Sequence, residues 1–350
     1  MNSDLLRQTA ERIRPIANPQ MEAALRARLD QLTKPPGSLG RLEDMAVRTG
    51  LIQRTEWPRA SSKVLFVCCA DHGVTAEGVS PYPQEVTRQM VANFQNGRAA
   101  INVLCRQYDI EARVVDCGVR NGLACGGMSF RLGDGTANFT RQLAMSREQA
   151  EQSLSYGIQL ALDAAETADL LAVGEMGIGN TTTAAALFSA FTGLDPKITA
   201  GRGTGLDDAG VERKRAVIRQ ALALHRPDPA DAVGTLASLG GFEIGLMAGV
   251  ILGAAAAHRP VILDGFVTGA AAFVARAIRT ESLEAAVFSH CSAEHGHRRM
   301  LAELGAEPLL DLRMRLGEGT GAAIAAGLVE SAVRLYTEMS TFAEASVSNR

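Results

Sequence analysis

Two glutamates in this chain are framed by glycines. Glu318 stands between Gly317 and Gly319, and Glu175 lies between Gly174 and the nearby Gly177. Flanking glycines expose a carboxylate and let a ligand approach the backbone. An apolar neighbour such as Leu316 raises a carboxyl pKa toward the range of a general base. The same residue type also serves as a helix N-terminal glutamate that offsets the dipole. Spacing leaves both readings open for Glu318 and for Glu175. The run Gly174-Glu175-Met176-Gly177-Ile178-Gly179-Asn180-Thr181-Thr182-Thr183 offers a second chemistry. It follows the strand-like 168–173 and precedes the alanine-rich helix former 184–190. A glycine-loaded turn between strand and helix presents N–H groups and the helix dipole to an anion. The turn lacks the Gly-Lys-Ser/Thr ending of a P-loop and the GxGxxG pattern of dinucleotide sites. A monophosphate fits it better, with a tight turn that binds nothing as the plain alternative.

Asp71 and Asp264 close short apolar runs, where each orients a ribose hydroxyl or caps the next helix. Lys214 sits between Arg213 and Arg215; one of the three faces phosphate, or the run is a solvated helix face. Ser289-His290-Cys291-Ser292-Ala293-Glu294-His295-Gly296-His297 invites a metal reading, but its spacing matches neither HExxH nor a zinc finger. Contact with a ligand through Ser292 or the local backbone is the better reading, and no nucleophile elbow surrounds Cys291.

These residues need elements to hold them. Apolar runs at 64–70, 168–173, 261–263 and 286–288, with a weaker one at 114–116, read as buried strands. Helical patterns cover 4–30 (broken by Pro15 and Pro19), 41–53, 83–94, 97–107, 147–166, 208–224, 268–278 and 322–336, while the glycine-rich 121–145 reads as a loop or short irregular strands. Repeated strand–polar turn–helix units predict an α/β fold, a Rossmann-like, mainly parallel sheet flanked by helices. Ligands of such sheets bind beyond the carboxyl ends of strands, where Asp71, the 174–183 turn, Asp264 and Ser289-His290 all fall. Pro35-Pro36 forces a rigid turn, and the last dozen residues read as polar and frayed.

The totals set the class. The chain has 350 residues, 47% hydrophobic and 21% charged, with a net charge of −3. That balance gives no electrostatic argument for nucleic acid or an anionic membrane. Six cysteines without a CxxC pair read as reduced thiols of a cytoplasmic enzyme. The first fifteen residues lack the apolar core of a signal peptide. The longest apolar stretch, Ile244 to Ala257, is too short to span a bilayer. Gly245, Gly249 and Gly253 share one face of it, for close packing within the chain or at a subunit interface.

Several ordered segments together carry a family resemblance. They are Thr33-Lys34-Pro35-Pro36-Gly37-Ser38-Leu39-Gly40-Arg41-Leu42-Glu43, Ala70-Asp71-His72-Gly73-Val74, Gly174 to Thr183, Gly201-Arg202-Gly203-Thr204-Gly205, Leu239-Gly240-Gly241-Phe242-Glu243-Ile244, Asp264-Gly265-Phe266, Ser289 to His297, and Arg315-Leu316-Gly317-Glu318-Gly319. From about residue 30 to 335 the chain resembles the nicotinate-nucleotide–dimethylbenzimidazole phosphoribosyltransferases of cobalamin biosynthesis. The resemblance implies a Rossmann-like catalytic domain over 61–304 and a small helical domain from 1–60 plus 305–350. It implies a homodimer in which the partner completes each site. The implied reaction moves ribose 5-phosphate from nicotinate mononucleotide to 5,6-dimethylbenzimidazole with inversion at C1′, without cofactor or metal. Glu318 would be the general base. Glu175, Gly177, Ile178, Gly179, Asn180, Thr181, Gly203, Lys214, Asp264 and Ser292 would hold the nucleotide. Ser80, Tyr82, Gln89 and Leu316 would line the benzimidazole pocket. A related transferase with another base or a phenolic acceptor, or a non-catalytic nucleotide-binding partner subunit, are the competing readings.

Overall fold

The computed structural model describes residues 2–122 and 127–348; Cys125 and the middle of the glycine-rich 121–145 stretch lie outside them. The chain opens with helices α1 (Asn2–Arg12), α2 (Pro19–Gln31) and α3 (Arg41–Gln53), then enters strand β1 (Lys63–Ala70). Helices α4 (Glu85–Gln95) and α5 (Ala100–Gln107) lead to β2 (Glu111–Gly118) and the short β3 (Met128–Ser129). Helix α6 (Arg147–Ala165) precedes β4 (Leu170–Met176), α7 (Asn180–Thr192), α8 (Pro196–Thr199), α9 (Asp208–His225), α10 (Ala232–Leu239) and α11 (Phe242–Ala256). The chain closes with β5 (Val261–Leu263), α12 (Phe266–Ile278), β6 (Ala286–Phe288), α13 (His297–Leu304) and α14 (Thr320–Glu338).

The six strands form one parallel sheet in the order β3-β2-β1-β4-β5-β6. The chain winds outward from β1 in one direction, then restarts at β4 on the other side of β1. The strand order therefore reverses between β1 and β4, and a crevice opens there beyond their carboxyl ends. Both faces of the sheet are covered, which is why β1 reads as an unbroken apolar run. Val64, Phe66, Cys68 and Ala70 face a core shared with α6, α7, α11 and α12, while Leu65, Val67 and Cys69 face the residues of α4, α5 and α14. A third, smaller cluster of α2, α3 and α14 packs around Leu25, Leu29, Val47, Leu51 and Tyr336.

The glycine face of α11 is used inside the chain. A Cβ on Gly249 would lie 2.1 Å from the Leu154 carbonyl oxygen, and one on Gly157 would lie 1.9 Å from that of Leu246. The backbones of α6 and α11 thus touch. No helix of the described residues is long and apolar enough to cross a membrane.

Three expectations change. The strand expected at 168–173 runs on through Gly174, Glu175 and Met176, because β4 stays in register with β1 as far as Cys69 opposite Met176. The turn shrinks to Gly177–Gly179, and the helix starts at Asn180 instead of near 184. The C-terminal residues are tied down rather than frayed: Thr33 N–H donates to the Ser340 carbonyl and Phe342 N–H to that of Gln31. Helices α10 and α13 have no counterpart in the sequence pattern.

Candidate active site

The site is built where β4 ends. Gly174 is the point of contact with the C-terminal loop, since a Cβ there would stand 2.3 Å from the Gly319 nitrogen. Only two bare backbones approach so closely. The contact is pinned by Glu318 N–H, which donates to the Glu175 carbonyl at 3.2 Å. Glu318 itself has φ +65°, a left-handed conformation uncommon for a residue with a side chain. Two glutamates 143 positions apart in sequence thereby become backbone neighbours at one sheet edge.

Their carboxyls differ in setting. Glu318 is buried at 5% exposure, and its Oε2 accepts from the Ile101 N–H at 3.4 Å, in the first turn of α5. Burial raises its pKa above the ordinary carboxylate range; the Ile101 amide pulls it down and the Asp264 charge adds to the rise. Glu175 keeps a fraction of its surface open to the crevice, yet protein packs closely around its carboxyl. Burial first, then the charges of Asp264, Glu243 and Glu318, push its pKa up to about 8, against the opposing amide of Asn180. The Asn180 Nδ2 donates to the Glu175 Oε2.

The glycine turn lies beside them. Gly179, at φ +96°, is the N-cap of α7 and carries the turn through a conformation that suits glycine. Ile178 N–H is taken by Thr87 Oγ1 at 3.1 Å, whereas those of Gly179 and Thr181 find no partner among the described residues. Thr181 Oγ1 accepts from Lys214 Nζ at 2.9 Å. Lys214 is fully buried, so the solvated-face reading fails: on α9 it points inward while Arg213 reaches the Gly78 carbonyl and Arg215 pairs with Glu212. Burial lowers its pKa to about 8, with Glu294 opposing.

Asp264 resolves as a cap, of α14 and not of the next helix. Its Oδ1 accepts from Gly321 and Ala322 N–H at 2.7 and 3.1 Å, and its Oδ2 accepts from Gly319 N–H at 3.1 Å. It therefore fixes the loop that carries Glu318. Asp71 Oδ2 accepts from Arg120 N–H at 2.7 Å and ties the end of β1 to the end of β2. Within the histidine-rich stretch His297 is structural: Ser292 N–H donates to its Nδ1 at 2.8 Å, and burial drives its pKa down to about 3, leaving a neutral acceptor. Among the described residues, no group of three His, Cys, Asp or Glu side chains is placed to hold a metal.

One cleft of about 90 Å³ gathers Glu175, Gly177, Ile178, Asn180, Thr181, Gly203, Asp264, Ser292 and Leu316, with Lys214 behind Thr181. The other expected residues are more scattered. Gln89 lines a separate cavity of about 450 Å³ with Asp71 and Arg120. Ser80 and Tyr82 stand on the loop before α4, and Tyr82 and Leu316 are 51% and 59% exposed. Two further cleft residues escape the sequence reading. Arg315 Nη1 donates to the Gly203 carbonyl at 3.2 Å, and both Glu294 oxygens accept from Gly203 N–H at 3.2 and 3.1 Å. Both lie within the family-like segments, but no spacing rule marks them.

A sequence profile described as phosphoribosyltransferase matches residues 14–347. The chain belongs to this family. The nicotinate-nucleotide–dimethylbenzimidazole phosphoribosyltransferase of Chloroflexus aggregans is 49% identical over 349 residues, 99% of each chain. The protein of the same name from Desulforamulus reducens is 51% identical over 98% of this chain and 99% of its own. The crystal structure of CobT from Thermus thermophilus is 45% identical, covers 95% of this chain and 100% of its own, and superposes with a TM-score of 0.90. The family's α/β architecture is the one described above.

Proposed function

We propose that this chain transfers the 5-phosphoribosyl group of nicotinate mononucleotide to a ring nitrogen of 5,6-dimethylbenzimidazole, in the activation of the lower ligand of cobalamin. The products are nicotinate and α-ribazole 5′-phosphate. The observation that carries this reading is the Gly174–Gly319 contact, which sets Glu318 and Glu175 beside the glycine turn in a chain that the family profile matches over residues 14–347.

The donor phosphate takes the Gly179 and Thr181 N–H groups and the Lys214 ammonium. The ribose lies against Glu175 and Asp264, with Ser292 and Gly203 closing the phosphate end. The benzimidazole enters across Leu316 and the Ser80–Tyr82 loop, and Gln89 approaches from α4. One benzimidazole nitrogen attacks C1′ from the face opposite the pyridinium, so the C1′ configuration inverts. The C1′–N bond breaks, and its electron pair stays on the nitrogen of the departing nicotinate. The pyridinium leaves without needing a proton, so the one proton to be moved is the N–H of the other benzimidazole nitrogen. Glu318 accepts it, and a raised pKa makes it a stronger base. Carboxylates nearby offset the positive charge that builds at C1′. The step transfers no pyrophosphate and calls for no cofactor.

Tyr82 and Leu316 leave the acceptor side open in the single chain, and a second copy completing that wall makes the protein a homodimer. A cytoplasmic location follows from the substrates. The purified protein with nicotinate mononucleotide and dimethylbenzimidazole yields nicotinate and α-ribazole 5′-phosphate in equal amounts by chromatography. Offering purines and phenolics in competition ranks the acceptors. If no benzimidazole gives product, the reading fails.

A further inference from the structure

His72 follows the end of β1 and is not among the residues that line the open cleft; it is fully buried. Its Nδ1 lies 2.9 Å from Thr183 Oγ1, and its Nε2 lies 2.8 Å from Glu243 Oε1. Thr183 is in the first turn of α7, directly behind the anion seat. Glu243 is in the first turn of α11, fully buried, where the helix dipole favours a carboxylate. The His72 carbonyl is fixed as well, accepting from Thr75 N–H at 3.2 Å, Thr75 Oγ1 at 2.8 Å and Gln84 Nε2 at 3.3 Å.

The imidazole also bears on the turn itself. A Cβ on Gly177 would sit 3.3 Å from His72 Nε2, and one on Gly179 would sit 3.3 Å from His72 Cβ. The His72 side chain therefore lies under both glycines, its ring against Gly177 and its Cβ against Gly179. Burying an imidazole and a carboxylate together is a poor way to gain stability, because desolvation offsets the attraction. Here one carboxylate oxygen, Glu243 Oε2, has no hydrogen-bond partner among the described residues. A network held at that cost, spanning β1, α7 and α11 across the crevice, has a geometric purpose.

We propose that His72, braced by Glu243 and bonded to Thr183, is the positioning residue of the donor-phosphate seat: it holds the Gly177–Thr183 turn in its anion-binding shape without touching substrate. The proposal rests on the reading that the donor phosphate binds at this turn. Steady-state kinetics of Thr183→Val, Thr183→Ser, His72→Gln and Lys214→Ala separate the two. Thr183→Val raises KM for nicotinate mononucleotide about tenfold, with kcat within about threefold and acceptor KM unchanged, as expected when uniform donor binding is lost. Thr183→Ser, which keeps the hydroxyl, stays within about twofold of the parent. His72→Gln moves in the same direction as Thr183→Val. Should His72→Gln fail to fold, the exchange of one hydroxyl for a methyl in Thr183→Val still decides the matter. If Thr183→Val leaves donor KM within about twofold while Lys214→Ala raises it, the positioning role is overturned. If Lys214→Ala also leaves donor KM unchanged, the phosphate seat itself is misplaced and the proposal falls with it.

Discussion

The two sides of the crevice, to which we assign the donor and the acceptor, are built in different ways. The donor side is made of backbone and of side chains braced by buried groups: the Gly177–Gly179 turn, Thr181 over the buried Lys214, and Asp264 capping α14 with three hydrogen bonds. The acceptor side is made of side chains on loops and on α4, with Tyr82 and Leu316 more than half open to solvent. A phosphate is the same in every donor, so its seat can be rigid and complete in one chain. An aromatic acceptor is recognised by shape, and shape recognition tolerates a wall that is closed later, by substrate or by a second subunit. Glu318 stands at the seam between them. Its loop is fixed from the donor side by Asp264 and Gly174, and its carboxylate faces α5.

The comparison breaks first at that seam. If Glu318 is the base for the acceptor proton, Glu318→Ala lowers kcat by about 10²–10⁴-fold while donor KM stays within a few-fold. Turnover within a few-fold of the parent would move the base elsewhere, with Glu175 the next candidate. Lys214 gives a smaller effect, confined to the donor. Lys214→Ala raises KM for nicotinate mononucleotide roughly ten- to a hundredfold, the range of a charge-assisted hydrogen bond removed from a buried site. The pH dependence adds detail. With its pKa near 8, Lys214 is charged below that pH, so donor KM rises as pH passes through about 8. Glu175 titrates in the same range and adds a negative charge to the cleft, which pushes KM the same way. Lys214→Arg removes the lysine's share of the rise, and Glu175→Gln removes the other. A donor KM flat to pH 9 in the parent would show that neither group meets the donor.

The sharp donor side is also the more legible in sequence. The glycine turn, the two acids closing β1 and β5, and the Leu-Gly-Glu-Gly motif are local signals, and parallel-sheet logic puts them at one edge. What stays hidden is set by tertiary contact. Gly174 to Met176 read as loop because glycine is a turn residue, yet pairing with β1 makes them strand. The reason Gly174 is a glycine, the Gly319 backbone pressed on it, lies 145 positions away. Three adjacent cations on α9 look alike in sequence; only the packing of α9 says that the middle one points in. Asp264 reads as serving the helix that follows it, but it caps a helix far along the chain. His72 and Glu243 sit inside recognised motifs without a spacing rule to single them out. On the proposed acceptor side, Gln89 and Leu316 line different cavities among the described residues.

The acceptor side accordingly predicts weaker single effects. Leu316→Ala removes one exposed apolar contact, so acceptor KM rises only about two- to fivefold and donor KM stays put. A loss of a hundredfold would mean that Leu316 is buried in the working enzyme, and the comparison drawn above would no longer hold for the assembled protein.

The smallest effect is on stability, and it isolates Glu175. The folded pKa is raised to about 8 from an ordinary 4.5. Between those values the native state binds more protons than the unfolded chain, so stability from the neutral carboxyl is fully present below 4.5 and is lost as pH rises through 8. Glutamine is neutral throughout. Glu175→Gln therefore leaves Tm close to the parent's at pH 5 and raises it by about 2–4 °C at pH 9, where the parent must bury a charge beside Asp264, Glu243 and Glu318. Asp264 and Glu318 remain in both proteins, and their coupling to the Glu175 charge is part of the difference. A Tm difference that does not change with pH would mean that Glu175 is already ionised at neutral pH. It would then behave as a solvated carboxylate and not as one of the buried groups of the proposed donor seat.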